Sequence, residues 1–465
     1  MNQVEPRRRG AIAVVLVAVF VSSLDVMIVN IAFPDMLLSF SDATLGDLSW
    51  VLSAYAITFA ALLMPAGRWA DRSGRKRAFL VGLVVFTLAS AACAAAPMLE
   101  VLVAGRVAQG VGAALMTPSS LGLLLALFPA EKRGAAIGLW SAMSGAGAAF
   151  GPPIGGLLVQ ADWRWVFLVN LPIGVAAVIV GIRTLPEMRE ERPTAPDVLG
   201  AVVLAATAAA IVAAIVQGPD WGWTSGGVVG LFALGIVGVV FSVRRTFRHP
   251  APVIDPAILR IRSVAVGDLA TFFLFGSFAA LILASTLFLT GIWHHSVLRA
   301  AMEIAPGPLM VAVAAVPGGI LAERYGARLV GLVGSVLFAA AGVWWVLATE
   351  VAPAYTTTFL PALLVGGVGL GLLLTSVASA ATLSLPPERF ATGSALMTMC
   401  RQVGVAIGVA VVAVILDVRP DLAAFHTAWL FMAGCSLAAG LTLLMLGAER
   451  SSDTVEAAQV AAATN

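Results

Sequence analysis

The feature that most constrains this chain is its division into about fourteen apolar stretches, running from 11–33 to 425–447 and separated by short polar turns. A helix of about 20 apolar residues matches the hydrocarbon thickness of a bilayer. With 60% hydrophobic and 11% charged residues, and a mean hydropathy of +0.99, the chain lacks the polar surface that a soluble fold of this length needs. The expectation is an all-α polytopic membrane protein with about 14 transmembrane helices. The first stretch follows Arg7-Arg8-Arg9 in the manner of a secretion signal. It carries Asp25 and Asn30, continues to Pro34 and has no small-residue cleavage pattern, so it reads as a retained span.

Charge placement gives the topology. Twenty-two of the 27 lysines and arginines fall on alternate connections: Arg7 to Arg9, the five from Arg68 to Arg77, Lys132 and Arg133, Arg183, Arg189 and Arg192, Arg244, Arg245, Arg248, Arg260 and Arg262, Arg324 and Arg328, Arg389, and Arg450. Arg164, Arg299 and Arg419 fall on the other set, and Arg106 and Arg401 lie within apolar stretches. Lys and Arg collect on cytoplasmic loops, so both termini are expected in the cytoplasm and the number of spans must be even. The expected location is the inner (plasma) membrane of a cell. Trp50, Trp163, Trp165, Trp221, Trp223, Trp293 and Trp429 fall near predicted outer ends, where indole rings favour the interface.

The chain also echoes itself. Gly67 to Lys76 reads GRWADRSGRK after the second span, and Gly319 to Arg328 reads GILAERYGAR after the tenth, on the same side. A motif repeated in the same orientation implies two halves related by a parallel repeat. The expected organisation is a six-helix bundle over 1–190, two inserted helices over 191–250, a second six-helix bundle over 251–450 and a cytoplasmic tail over 451–465.

Catalysis finds no support. No nucleophile–base pair stands out, no Walker loop is present, and His249, His294, His295 and His426 have no metal-ligand spacing and read as loop residues. Cys93, Cys400 and Cys435 each sit in an apolar stretch and read as packing residues. No metal, organic cofactor or nucleic-acid partner is expected.

Further motifs carry charge or glycine into the spans: LDVMIVNIAFP (Leu24–Pro34), LVAGRVAQGVGAA (Leu102–Ala114), GAGAAFGPPIGG (Gly145–Gly156), WRWVFLVNLPIG (Trp163–Gly174) and CRQVGVAIG (Cys400–Gly408). With GRWADRSGRK they resemble the major facilitator superfamily, specifically its fourteen-span drug:proton antiporter family. The resemblance covers nearly the whole chain. It departs at Met27, where Thr is usual, at Trp69, where Leu is usual, and at Glu323, where Asp is usual.

The resemblance implies two six-helix bundles around a central cavity, lined mainly by spans one, four, nine and twelve, with two extra central helices. It implies a monomer that exports small amphipathic compounds by alternating access, with the proton gradient in place of any cofactor and with protons, substrate and lipid as its partners. A dedicated cargo (a self-made metabolite, siderophore or lipid) fits the same fold, and a non-transporting membrane sensor is a distant alternative.

The site residues follow from the same resemblance. Asp25 and Arg106 are the expected proton-coupling pair. Counting 1.5 Å per residue from the helix ends puts both about 12 Å below the outer boundary. The other reading of Asp25 is an interhelical hydrogen-bond clamp. Gly67, Asp71, Arg72, Gly74, Arg75 and Lys76 form a cytoplasmic gate motif, with Gly67 at the bend; the plainer reading is a topology signal. Gly147, Gly151, Pro152 and Gly155 belong to the antiporter motif, with tight glycine contacts and a proline bend. Asn30, Gln109, Asp268, Phe272 and Arg401 are possible cavity residues. Phe273, Phe275 and Phe278 join them or face lipid or core; the sequence does not separate those readings.

Overall fold

In hydrocarbon every backbone amide must be bonded within its own segment, so each apolar stretch becomes a helix. The computed structural model describes residues 4–129, 133–188, 197–249, 252–254, 256–382, 390–418 and 421–446. Lys132, Arg189, Arg192, Arg389, Arg419, Arg450 and the tail 451–465 lie outside the described residues. Fourteen helices are long and apolar enough to cross a membrane: Arg7–Ser39, Leu45–Ser73, Arg75–Ala94, Leu99–Ala126, Ala142–Val159, Trp165–Thr184, Val198–Trp221, Gly226–Arg248, Arg262–Gly291, Val297–Tyr325, Ala327–Ala348, Tyr355–Ala380, Gly393–Asp417 and Leu422–Leu443. They are numbered as spans one to fourteen. No strand occurs among the described residues.

Three spans are not plain α-helices. Span six is interrupted at Val169 and span ten at Ala305, and span twelve opens with a π-helical turn over Tyr355–Phe359. Polar caps fix several ends. Thr44 caps span two in a capping box with Asp47, and Asp197, Ser225, Ser296 and Asp421 cap spans seven, eight, ten and fourteen.

Packing repeats with an offset of eight spans. Span one packs on five as nine packs on thirteen, two on four as ten on twelve, three on four as eleven on twelve, and three on six as eleven on fourteen. The halves meet in the same pseudo-symmetric way, two against thirteen and five against ten. Spans seven and eight pair with each other, and seven fills the groove beside two and thirteen. Spans three and eleven each begin at a glycine with positive φ, Gly74 (104°) and Gly326 (86°). Only a residue without a Cβ takes that backbone without strain.

The motif connections and the chain start share one face of the bundle, called the basic face below. At the opposite face the halves are joined. The Leu45 amide donates to Asp417 Oδ1 at 2.8 Å, Gly156 abuts Leu298 and Ala301, and one apolar core runs from Phe33, Met36 and Phe167 to Phe288, Trp293 and Trp429.

Candidate functional site

Asp25 and Arg106 come from apolar helices that cannot leave a charge bare, and they meet. Arg106 Nη1 donates to Asp25 Oδ2 at 2.5 Å, with both side chains essentially fully buried. Breaking such a pair leaves an uncompensated buried charge, at a cost of about 3–5 kcal/mol. The remaining valences are filled from spans two, three and six and from Gln109 on span four itself. Arg106 Nε donates to the Val51 carbonyl at 2.9 Å, and Nη1 also donates to Gln109 Oε1 at 2.7 Å. Gln109 Nε2 donates to Asp25 Oδ1 at 3.1 Å and to Ser90 Oγ at 2.8 Å. Asn170 Nδ2, beside the break in span six, donates to Asp25 Oδ1 at 2.9 Å. The Tyr55 ring covers the guanidinium at 4.4 Å.

Arg106 also borders a central cavity of about 160 Å³. Its walls come from spans one, two, four, five, nine and thirteen, including Met27, Asn30, Tyr55, Phe59, Trp140, Phe275, Phe278 and Arg401. A second chamber of about 280 Å³ adjoins it at Thr117 and Trp140 and reaches the basic face, where Gly67, Asp71 and Arg75 line it. Solvent-sized space therefore runs from beside the buried pair towards the basic face.

The motif glycines set helix distance. A Cβ on Gly147 would overlap the Phe20 carbonyl, one on Gly151 would overlap the Met27 side chain, and one on Gly155 would press on Ile28. In the second half, Gly404 and Gly408 lie against the Phe272 and Gly276 carbonyls of span nine. Thus five seats on one as thirteen seats on nine. Pro152 and Pro153 lie inside a helix that continues from Arg133 to Val159.

A family model described as Major Facilitator Superfamily matches residues 15–294 and again 267–463. The chain belongs to that superfamily. Among its relatives, Multidrug resistance protein Stp of Mycobacterium tuberculosis is 33% identical over 85% of this chain and 74% of its own length. The Methylenomycin A resistance protein of Streptomyces coelicolor is 33% identical over 92% of this chain and 88% of its own. The Tetracenomycin C resistance and export protein of Streptomyces glaucescens is 33% identical over 88% and 76%. A solved bacterial homologue of the human lysosomal transporter Spinster shares the fold, with a TM-score of 0.66, 16% identity and coverage of 94% and 95%. The human organic anion transporter MFSD10 does so with a TM-score of 0.65, 14% identity and coverage of 94% and 99%.

Within this major facilitator fold several expectations need correction. Among the described residues, span twelve adds none to the central cavity wall, and thirteen takes that place with Arg401, Gln402, Val405 and Val409. Asp25 does not face the cavity, because Arg106 and Tyr55 stand between. Gln109 is buried in the network, and Phe272 is not among the described residues lining the cavity; its carbonyl lies against Gly404. Asp268 is buried outside the cavity wall with neither carboxylate oxygen hydrogen-bonded. Asn30 and Arg401 do line it, Asn30 Nδ2 donating to the Val26 carbonyl at 2.7 Å. Gly67 lies inside span two, so the chain reverses at Gly74 instead.

In the gate motif, Arg75 Nη2 lies 3.0 Å from Asp71 Oδ1, the Arg75 amide donates to the Met188 carbonyl, and Lys76 Nζ donates to the Ile182 carbonyl at 2.8 Å. All these partners belong to the first half. Arg72 is exposed at the end of span two, and Glu323, in the second copy, is exposed as well. His295 lies in the loop between spans nine and ten, as expected. It is buried, with Nδ1 2.7 Å from Glu303 Oε2. Ser90, Tyr55 and Asn170 were not singled out from sequence. Asn170 alone gave a signal, an amide side chain inside an apolar motif.

Proposed function

We propose that this chain is a proton-coupled antiporter that exports small amphipathic compounds, drugs and antibiotics among them, across the cytoplasmic membrane by alternating access. The observation that carries the reading is the buried Asp25–Arg106 pair beside a cavity that continues towards the basic face. The relatives named for drug resistance and export support the cargo class. Lys and Arg placement supports assigning the basic face to the cytoplasm, which makes the described state open inward.

A carboxylate and a guanidinium in contact, out of water, hold each other ionised. For the pair to part, opening of the opposite face would have to shift span one against span four within the first half. A carboxylate that loses its counter-charge in a dry site is stabilised by taking up a proton, and re-forming the pair expels that proton. If the pair parts only while the outer face is open, each cycle imports a proton and releases cargo outward. The electrical share of the driving force is about 2.3 kcal/mol per charge per 100 mV. A single chain contains the pair, the cavity and the gate motif, which supports function as a monomer.

Inverted membrane vesicles test this. Uptake of a panel of dyes and antibiotics is expected to collapse with a protonophore and to persist without ATP while the gradient is held. Transport that followed ATP at constant gradient would sink the antiporter reading.

A further inference from the structure

Among the described residues, the central cavity wall carries a positive charge, Arg401, with no counter-charge paired to it. Arg401 projects from span thirteen into the cavity wall. Among the described residues it has no ion pair and no hydrogen bond, and its one close ring contact is Phe275, whose centroid lies 5.5 Å from its guanidinium carbon. The other guanidinium on the wall, Arg106, is already committed to Asp25, Gln109 and the Val51 carbonyl. Among the described residues, no carboxylate lines the central cavity. In the chamber leading to it, the acid on the described wall, Asp71, is already bonded to Arg75. Asp268 precedes the cavity-facing part of span nine, yet neither of its oxygens bonds to Arg401 or to anything else described.

A guanidinium stays charged at any physiological pH, and it offers a planar fork of donors that matches a carboxylate or phenolate edge. In a narrow, largely apolar cavity its field is weakly screened, so an anion is attracted and a cation repelled more strongly than in water. Tyr55, Phe59, Trp140, Phe275 and Phe278 supply flat apolar surface around it. That combination suits a planar aromatic body with one acidic substituent.

We propose that Arg401 is the specificity-determining residue of the cavity and selects anionic amphipathic compounds, such as aromatic carboxylates and acidic phenols, over cationic ones. This deepens the exporter reading and rests on it for the identity of the cavity as the cargo site. The recognition is a charge-assisted hydrogen bond from the Arg401 guanidinium to the ligand's acidic oxygen, with the ring system against the aromatic wall. The charge on the cargo would then be fixed by a residue that takes no part in holding Asp25.

Equilibrium binding to the purified full-length protein tests the idea without requiring transport. The probes are a carboxyfluorescein-type anionic dye and ethidium, a cationic dye of similar flat shape, each followed by anisotropy. The wild-type protein is expected to bind the anionic dye at least about tenfold more tightly, the effect of one charge-assisted hydrogen bond in a dry site. R401Q is expected to erase that preference, R401K to retain part of it and R401E to reverse it. A wild-type protein that prefers ethidium, or an R401Q variant that keeps the anionic preference, overturns the proposal. Should R401Q fail to insert, the wild-type ratio and R401K decide alone. The two readings fail separately. Selective anion binding without gradient-driven movement would leave Arg401 its role and remove the antiporter. Gradient-driven export of both dyes, unchanged by R401Q, would do the opposite.

Discussion

Asp25 and Arg106 lie 81 residues apart in sequence and 2.5 Å apart in space, in the driest part of the first half. Their contact is joined by Gln109 and Asn170, so Asp25 Oδ1 accepts two amide hydrogen bonds while Oδ2 accepts the guanidinium. Asp25→Asn is therefore expected to strand the Arg106 charge, lowering stability by about 3–5 kcal/mol, and to abolish proton-driven efflux. Adding Arg106→Gln should restore most of the stability and none of the efflux. Thermal unfolding in detergent and vesicle uptake, run as a double-mutant cycle, check both halves. Full proton-driven efflux by Asp25→Asn would remove this pair from the mechanism.

Asp71 and Arg75 are a partly exposed pair one helical turn apart, across the reversal at Gly74. An exposed pair of this kind is worth at most about 1 kcal/mol. Asp71→Asn should leave insertion and thermal stability near wild type while transport falls, on the proposal that this carboxylate helps close the basic face. Wild-type transport by Asp71→Asn would return the motif to a topology signal. Glu323→Gln should do less, since Glu323 is exposed.

Span five offers an internal control for helix contact. A side chain at Gly151 collides with Met27, whereas a Cβ on Gly145 meets nothing within 4 Å. Gly151→Leu is expected to cost roughly 1–3 kcal/mol from overpacking and to block transport, with Gly145→Ala silent in both assays. An active Gly151→Leu would mean that spans one and five part during the cycle further than this packing allows.

The inserted pair of helices has one polar anchor. Asp197 caps span seven through the Gly200 amide at 2.8 Å and accepts Arg245 from span eight, Nη2 at 2.7 Å. Burial alone would raise its pKa. The hydrogen bonds from Arg245 and Gly200 outweigh burial and hold the carboxyl below its ordinary range. A depressed folded value means stabilisation that is fully present above the unfolded value, about 3.9, and lost as pH falls through the folded one. Asp197→Asn should be destabilising near pH 7, with the gap to wild type closing below about pH 4. Melting curves at the two pH values would show a constant gap if this anchor contributed nothing.

Number and order of the spans were legible because a membrane makes demands on every stretch of about 20 residues separately. Hydropathy and the Lys/Arg alternation carry that information locally, and the echo of Gly67–Lys76 in Gly319–Arg328 carries the repeat. Asp25 and Arg106 were legible for the same reason, since a charge within an apolar run must find a partner at its own depth. Rotation of each helix about its axis was decided only by tertiary packing. Lipid-facing and core-facing residues are equally apolar in such a protein, so periodicity cannot say whether Phe272 or Phe275 meets the cavity, or that span thirteen displaces span twelve from its wall. Those choices follow from glycine contacts such as Gly404 on the Phe272 carbonyl, which fix how span nine is turned. The roles of Gln109, Ser90 and Asn170 were likewise settled by where three separate helices converge on one carboxylate.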